Sequence, residues 1–238
     1  MTDFEASLWS TSEFSQNYRE DADIYLPFRS CFIEIAKSLY GHFISRNTEA
    51  EILDLGCGDG LFVQELLQSY TPAKVTLVDG SAEMLKAAKI RLAKRTDLDF
   101  IQATFQELLI DDPLRQTFDF VFSSLAIHHL PFAEKKKLYA YIYGHLSSGG
   151  HFVHYDVVLP PDGKLEKWYL SLWHQWILEH PDEEERERLL CIPEQYKENQ
   201  DNIPDTLEVQ LEALKEAGFN AVDCYFKYGI FALFGGGK

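Results

Sequence analysis

Nine residues, Ile52-Leu53-Asp54-Leu55-Gly56-Cys57-Gly58-Asp59-Gly60, constrain the fold of this chain more than any other stretch. The apolar residues around Asp54 read as a short buried strand, and Leu61-Phe62-Val63 as the opening of a helix. Between them, alternate glycines make a turn that lets another molecule lie against bare backbone. A strand, glycine loop and helix in this order hold nucleotide-like cofactors. A dinucleotide fingerprint would need its third glycine at Leu61, and here Gly60 comes one residue early, which disfavours NAD. No Gly-Lys-Ser/Thr follows, so a P-loop is absent.

Nineteen residues after Gly60, Lys74-Val75-Thr76-Leu77-Val78-Asp79 reads as a second apolar strand ending in a carboxylate. An acid about 20 residues beyond the glycines can accept hydrogen bonds from both hydroxyls of a ribose. Together the two stretches ask for an adenosine-type ligand without phosphates. With D-L-G-C-G-D-G and V-D-G-S-A-E-M-L in place, the chain resembles the class I S-adenosylmethionine-dependent methyltransferases, a likeness that continues to about residue 160. The resemblance implies a Rossmann-like, doubly wound α/β fold: a seven-stranded, mostly parallel sheet in the order 3-2-1-4-5-7-6 with helices on both faces. It also implies S-adenosyl-L-methionine as cofactor. Gly56, Cys57, Gly58, Asp59 and Gly60 then offer loop backbone to the methionine and ribose region, Asp54 orients the ammonium through that loop, and Asp79 anchors the ribose. Gly80, Ser81 and Met84 fall beside the adenine, although ordinary core packing explains Met84 equally well. Many relatives carry an acid where Thr104 falls; the Thr104-Phe105 segment either meets the adenine edge or is a surface turn.

The stretch Phe118-Asp119-Phe120-Val121-Phe122-Ser123-Ser124 reads as a fourth strand running into Leu125-Ala126-Ile127-His128-His129-Leu130. In the family such a stretch ends beside the methionine half of the cofactor, at Ser123, and its loop faces the methyl acceptor. His128 and His129 are candidate proton acceptors, since imidazole titrates near neutrality; either can instead hydrogen-bond the backbone of a tight loop. A fifth strand, His151 to Val158, alternates its side chains between two faces and brings Tyr155 and Asp156 to the same crevice as candidate acceptor contacts. His151 and His154 lack a third ligand nearby, so no metal is expected.

Flanking stretches complete a single domain over 1–238, with an N-terminal helical cover over 1–45 and a helical insertion over 160–204 above the acceptor pocket. Tyr18, Tyr25 and Phe28 are candidate lid residues or else pack on the sheet, and Pro27 can open a helix at its first turn. Trp168 to Trp176 places aromatic residues on every side of a helix, so it should be buried or line a pocket, with Trp168, Trp173 and Trp176 as candidate acceptor contacts. From 182 to 216 there are 12 acids against 4 bases, a solvated helical face or a lid favouring a cationic or neutral acceptor. Asp205-Thr206-Leu207-Glu208 carries a capping-box pattern starting at Asp205. Ala221 to Lys227 and Ile230 to Phe234 form a hairpin, and Gly235 to Lys238 a loose end.

Composition narrows the partners. A formal net charge of -16 repels polyanions, so extended nucleic acid and anionic membranes are not expected partners. Four cysteines at 31, 57, 191 and 224 form no ligand-spaced cluster and suit reduced thiols in a cytoplasm. No signal peptide or 18-residue apolar run appears, and a monomer or homodimer is expected. The function these features imply is in-line methyl transfer to a small, partly apolar or aromatic acceptor. Two alternatives keep the same pocket. One is a carboxy-S-adenosylmethionine synthase-like enzyme, which would need an arginine near the methyl position, with Arg19 and Arg29 as the nearest; the other is a non-catalytic cofactor-binding module.

Overall fold

The computed structural model describes Phe4 and residues 7–238. Its centre is a seven-stranded sheet in the order β3-β2-β1-β4-β5-β7-β6. The strands are β1 (Glu51–Leu55), β2 (Lys74–Asp79), β3 (Leu98–Gln102), β4 (Phe118–Ser124), β5 (Leu146–Val157), β6 (Asn220–Tyr228) and β7 (Phe231–Gly237). The first five run parallel, and β7 pairs antiparallel with both β5 and β6. The expected order and hand of pairing are therefore what the chain adopts.

Strand alternation sorts the core into two layers. On one face Ile52, Phe120, Phe122, Val153 and Tyr155 meet α2 (Arg29–Phe43), α3 (Leu61–Leu67) and α7 (Gly163–Leu178). On the other, Leu53, Leu55, Val121 and Phe152 meet α5 (Phe105–Asp111), α6 (Phe132–His145) and α10 (Leu207–Ala217). Between β2 and β3 lies α4 (Ala82–Arg91), where Ser81 caps the N-terminus by accepting from Met84 N, and Met84, Leu85 and Ala88 turn inward as their spacing predicts.

The cover is laced from distant stretches. Helix α1 (Ser12–Tyr25) ends under α7, where Trp173 Nε1 donates to Tyr25 O at 2.6 Å and Trp176 Nε1 to Ile24 O at 2.9 Å. Two short helices, α8 (Glu183–Leu189) and α9 (Ile192–Glu198), follow. Arg188 of α8 grips Asp21 of α1 through two bonds of 2.6 Å. At the far side, the fully buried Lys135 ammonium meets Asp205 at 2.6 Å and Ile203 O at 2.5 Å, fixing the segment before α10 to α6.

Five local expectations are corrected. Pro27 does not open α2; Phe28 sits in the left-handed region (φ 54) and the helix starts at Arg29. The cap of α10 is Thr206, which accepts from Val209 N, because the Asp205 carboxylate is drawn to Lys135. Helix α7 has a wet face: Trp168 is 54 % exposed, while Trp173 is 3 % exposed because it packs against Phe231 of β7 and donates to Tyr25 O of α1. Leu146 already pairs with Phe118, so β5 begins there and not at His151. Finally, Gly235, Gly236 and Gly237 are not loose but buried within β7, opposite Val153, Phe152 and His151. A Cβ at Gly235 would stand 2.0 Å from Phe152 O, so only glycine admits this approach.

Candidate active site

The glycine loop is pinned to the end of β2: Gly56 N and Cys57 N both donate to Val78 O, at 2.8 and 3.0 Å. Gly56 and Gly58 adopt positive φ (68° and 53°). A Cβ on Gly56 would meet Ala126 at 2.4 Å, whereas one on Gly58 would project into open space. Gly58 is thus the point where backbone faces a ligand. Gly60 (φ 76) does a different job, since its missing side chain lets Leu92 and Ala88 approach α3.

Asp79 holds this loop together. Its Oδ2 accepts from Gly58 N and its Oδ1 from Ser81 N, both at 2.8 Å. Each oxygen keeps a lone pair. Burial pushes its carboxyl up to about 6 against the pull of the two amides. Below it, Asp54 is fully buried with Oδ2 unpartnered, and burial together with Asp79 and Asp59 raises its carboxyl well above the usual range. An orphaned buried carboxylate oxygen beneath the loop is a site for a cationic group.

Above the loop lies a cleft of about 930 Å³ counted to its mouth. Among the expected cofactor residues, Gly56, Gly58, Asp79, Gly80 and Met84 line it, with Thr104 and Phe105 on the far wall. Thr104 is the cap of α5: its hydroxyl donates to Glu107 Oε2 (2.9 Å) and accepts from Glu107 N (3.2 Å). Cys57, Asp59, Gly60 and Ser81 support the loop from behind; Asp59 pairs with Arg91 and Cys57 belongs to the core. Ser123 is also behind the wall, its hydroxyl donating to Leu55 O at 2.7 Å, and the neighbouring Ser124 faces the cleft instead.

A second cavity lies beneath α1, α8 and α9. The two cavities share a wall of Trp9, Tyr18, Leu125 and His129. Leu125 holds a positive φ of 50° where β4 leaves the sheet, a strained geometry that places its side chain between them. Nothing in the sequence marked Leu125, Trp9 or Tyr196 as wall residues; aromatic content alone did not separate them from core.

The histidines divide the work. His129 accepts from Trp9 Nε1 at Nε2 (2.8 Å) and donates from Nδ1 to Asp201 O (3.0 Å), so both its nitrogens are committed. Burial, with His128 beside it, lowers its imidazole to about 3. His128 lies against Asp156: Nδ1 is 2.5 Å from Oδ1, and His128 N donates to Oδ2 at 2.9 Å. His154 Nε2 stands 2.8 Å from the same carboxylate, which is 1 % exposed. Burial raises the Asp156 carboxyl, but the two imidazoles outweigh it and hold it well below its usual range. This carboxylate fixes a proton on His128 Nδ1 and leaves Nε2 as the basic nitrogen, unbonded among the described residues and on the wall of the second cavity.

Other expected contacts fall elsewhere. Tyr18 lines both cavities, and Tyr25 and Trp173 the second. Trp168, Trp176 and Phe28 line neither; Phe28 and Trp176 pack on each other with ring centroids 4.7 Å apart. Tyr155 is buried, stacked on Phe32 at 4.2 Å. Arg29 pairs with Asp23 and Arg19 bonds Ser15 O, so neither reaches a cavity. Among the described residues no group of three or more His, Cys, Asp or Glu could hold a metal ion.

A family model for a methyltransferase domain matches residues 52–150, the stretch that builds the glycine loop, Asp79 and the His128 loop. Over these residues the chain carries a methyltransferase domain of the class I, S-adenosylmethionine-dependent kind. It is 24 % identical over 215 residues to a carboxy-S-adenosyl-L-methionine synthase of Nautilia profundicola, covering 88 % of this chain and 85 % of that one. It is 30 % identical over 79 residues to a malonyl-[acyl-carrier protein] O-methyltransferase of Halalkalibacterium halodurans; there the match spans 33 % of this chain and only 29 % of the relative. An O-methyltransferase family protein of Burkholderia thailandensis shares the fold at a TM-score of 0.68 and 12 % identity, over 98 % of this chain and 62 % of that one. The cofactor of this methyltransferase family is S-adenosylmethionine, and the first cavity fits it. Asp79 offers two acceptor oxygens for paired hydroxyls, Gly58 presents open backbone, and the buried Asp54 carboxyl beneath the loop keeps one oxygen unpaired.

Proposed function

We propose that this methyltransferase acts on a small, partly apolar or aromatic acceptor bound in the second cavity, with His128 accepting the proton that the acceptor gives up. The observation that carries this reading is the buried His128–Asp156 pair at 2.5 Å on the wall of a cavity that abuts the cofactor cleft. S-adenosylmethionine supplies a methyl group already activated on a sulfonium. The protein then has to orient an acceptor, exclude water and take up a proton. Asp79 and Gly58 bind the adenosine end, and the Trp9–His129 bond ties the N-terminal segment to the wall that the two cavities share. Asp156 positions His128 and stabilises the imidazolium; four hydrogen bonds saturate it, so it does not itself receive substrate. Among the described residues no helix is long and apolar enough to cross a membrane, in keeping with a small dissolved acceptor.

Calorimetric titration with S-adenosylmethionine, with NAD as control, tests the cofactor half. Asp79→Ala should weaken binding about 100-fold, the loss of two charge-assisted bonds. For the acceptor half, His128→Asn should lower turnover by about 10²–10⁴-fold with cofactor affinity unchanged. Full activity in His128→Asn would remove the histidine from the chemistry.

The long match to a carboxy-S-adenosyl-L-methionine synthase supports a second reading, in which the same cleft serves carboxyl transfer onto the cofactor. That product needs a free cation, and Arg19 and Arg29 are engaged elsewhere.

A further inference from the structure

The relatives' names speak of carboxylic acids, malonyl and carboxy groups. The second cavity is built differently. Arg188 is the one lysine or arginine among the described residues on its wall. Its fork is already filled from inside the protein, by Asp21 through two bonds of 2.6 Å, and its Nε reaches Glu185 at 3.1 Å. A carboxylate entering here would have to displace Asp21 and leave that largely buried acid unpaired beside it. Asp156 adds a second negative charge behind His128. The side-chain amides of Asn17, Gln195, Asn199 and Asn202 on the wall carry no charge.

Besides His128 Nε2, one fully buried polar atom on this wall lacks a partner among the described residues. The Tyr196 hydroxyl is buried with no hydrogen bond, and its ring lies 5.6 Å from Trp173 and 6.3 Å from His128 by centroids. A buried hydroxyl without a partner costs free energy that a ligand can return. Trp173 and Phe231, in edge contact at 5.0 Å, give the same end of the cavity an aromatic floor.

We propose that the acceptor is an uncharged molecule with an aromatic or apolar body and a hydroxyl, that Tyr196 donates a hydrogen bond to the hydroxyl oxygen, and that the Asp21–Arg188 pair excludes carboxylates. The inference rests on the reading of this cavity as the acceptor site. His128 Nε2 is the acceptor for the ligand's O–H, so the two side chains hold one oxygen from two sides.

The test compares 2-naphthol with 2-naphthoate, equal in ring and opposite in charge, by tryptophan fluorescence and calorimetry, with and without saturating S-adenosylhomocysteine. The wild-type protein should bind naphthol at least tenfold more tightly than naphthoate. Tyr196→Phe should lose about tenfold for naphthol and nothing for S-adenosylhomocysteine. Asp21→Asn, which frees the Arg188 fork, should raise naphthoate affinity about tenfold. Arg188→Gln should keep naphthoate out, and it decides the point should Asp21→Asn fail to fold. Equal binding of the two probes, binding of neither, or an unchanged naphthol affinity in Tyr196→Phe overturns the inference. Failure of S-adenosylhomocysteine to bind would overturn the cofactor reading alone, because the ratio of the two probes is also read without it.

Discussion

Asp79 carries two duties that pull its proton in opposite directions. Its carboxyl is raised to about 6 by burial, so ionisation costs the folded protein stability above that pH, a cost relieved as pH falls from about 6 toward the ordinary value of 3.8. Ribose hydroxyls donating to both oxygens favour the anion and draw its pKa down. Between pH 5 and 6, binding of S-adenosylhomocysteine should therefore release protons, read as a dependence of calorimetric heat on the ionisation enthalpy of the buffer. Proton uptake would mean that Asp79 meets the ribose as the neutral acid. Lys135 shows the opposite economy of charge: fully buried, it is held by one carboxylate and one carbonyl, and no other element fixes the segment before α10 so directly to α6.

At the scale of elements, the segment that carries Trp9 is fastened to the body through an imidazole. The 3₁₀ turn Leu8–Ser10 buries none of its own residues, and Trp9 packs edge-on against Phe14, Tyr18 and His129 while donating to His129. The docked imidazole sits at about 3, below its free value of 6.5, so docking takes up no proton that the released histidine would hold. Docking should weaken as pH falls below 6.5, because a released imidazole can take up a proton that the docked, buried one does not hold. Hydrogen–deuterium exchange over residues 7–11 should accelerate accordingly, and His129→Phe should abolish that pH dependence. This element also shows where sequence reading stops. The glycine loop and Asp79 were legible because a cofactor grip is made by short contiguous stretches whose backbone demands glycine. The second cavity was not, because Asp21 and Arg188, or Tyr25 and Trp173, meet only after the chain has crossed the sheet. Aromatic residues carry no mark of direction, so Trp168 and Trp173 looked alike until α7 was placed against α1. Of the paired histidines, only the folded loop distinguishes the one facing Asp156 from the one holding Trp9.

The whole molecule separates its two tasks by layer. Loops at the strand ends make the first cavity and the cover helices most of the second, and among the described residues the two share a four-residue wall. Exchanging residues of α8 and α9 should alter acceptor choice while leaving S-adenosylhomocysteine affinity within about twofold, measured on the same calorimeter. The sheet itself was legible down to its strand order, yet the three glycines of β7 were missed, since their composition signals freedom and only the closeness of Phe152 explains them. The position of β7 has a consequence for synthesis. Of the seven strands it is made last and yet lies between two others, so a nascent chain that has already made β5 must carry that strand's hydrogen-bonding edge, with Val153, Tyr155 and Val157 on it, exposed to its neighbours on the polysome.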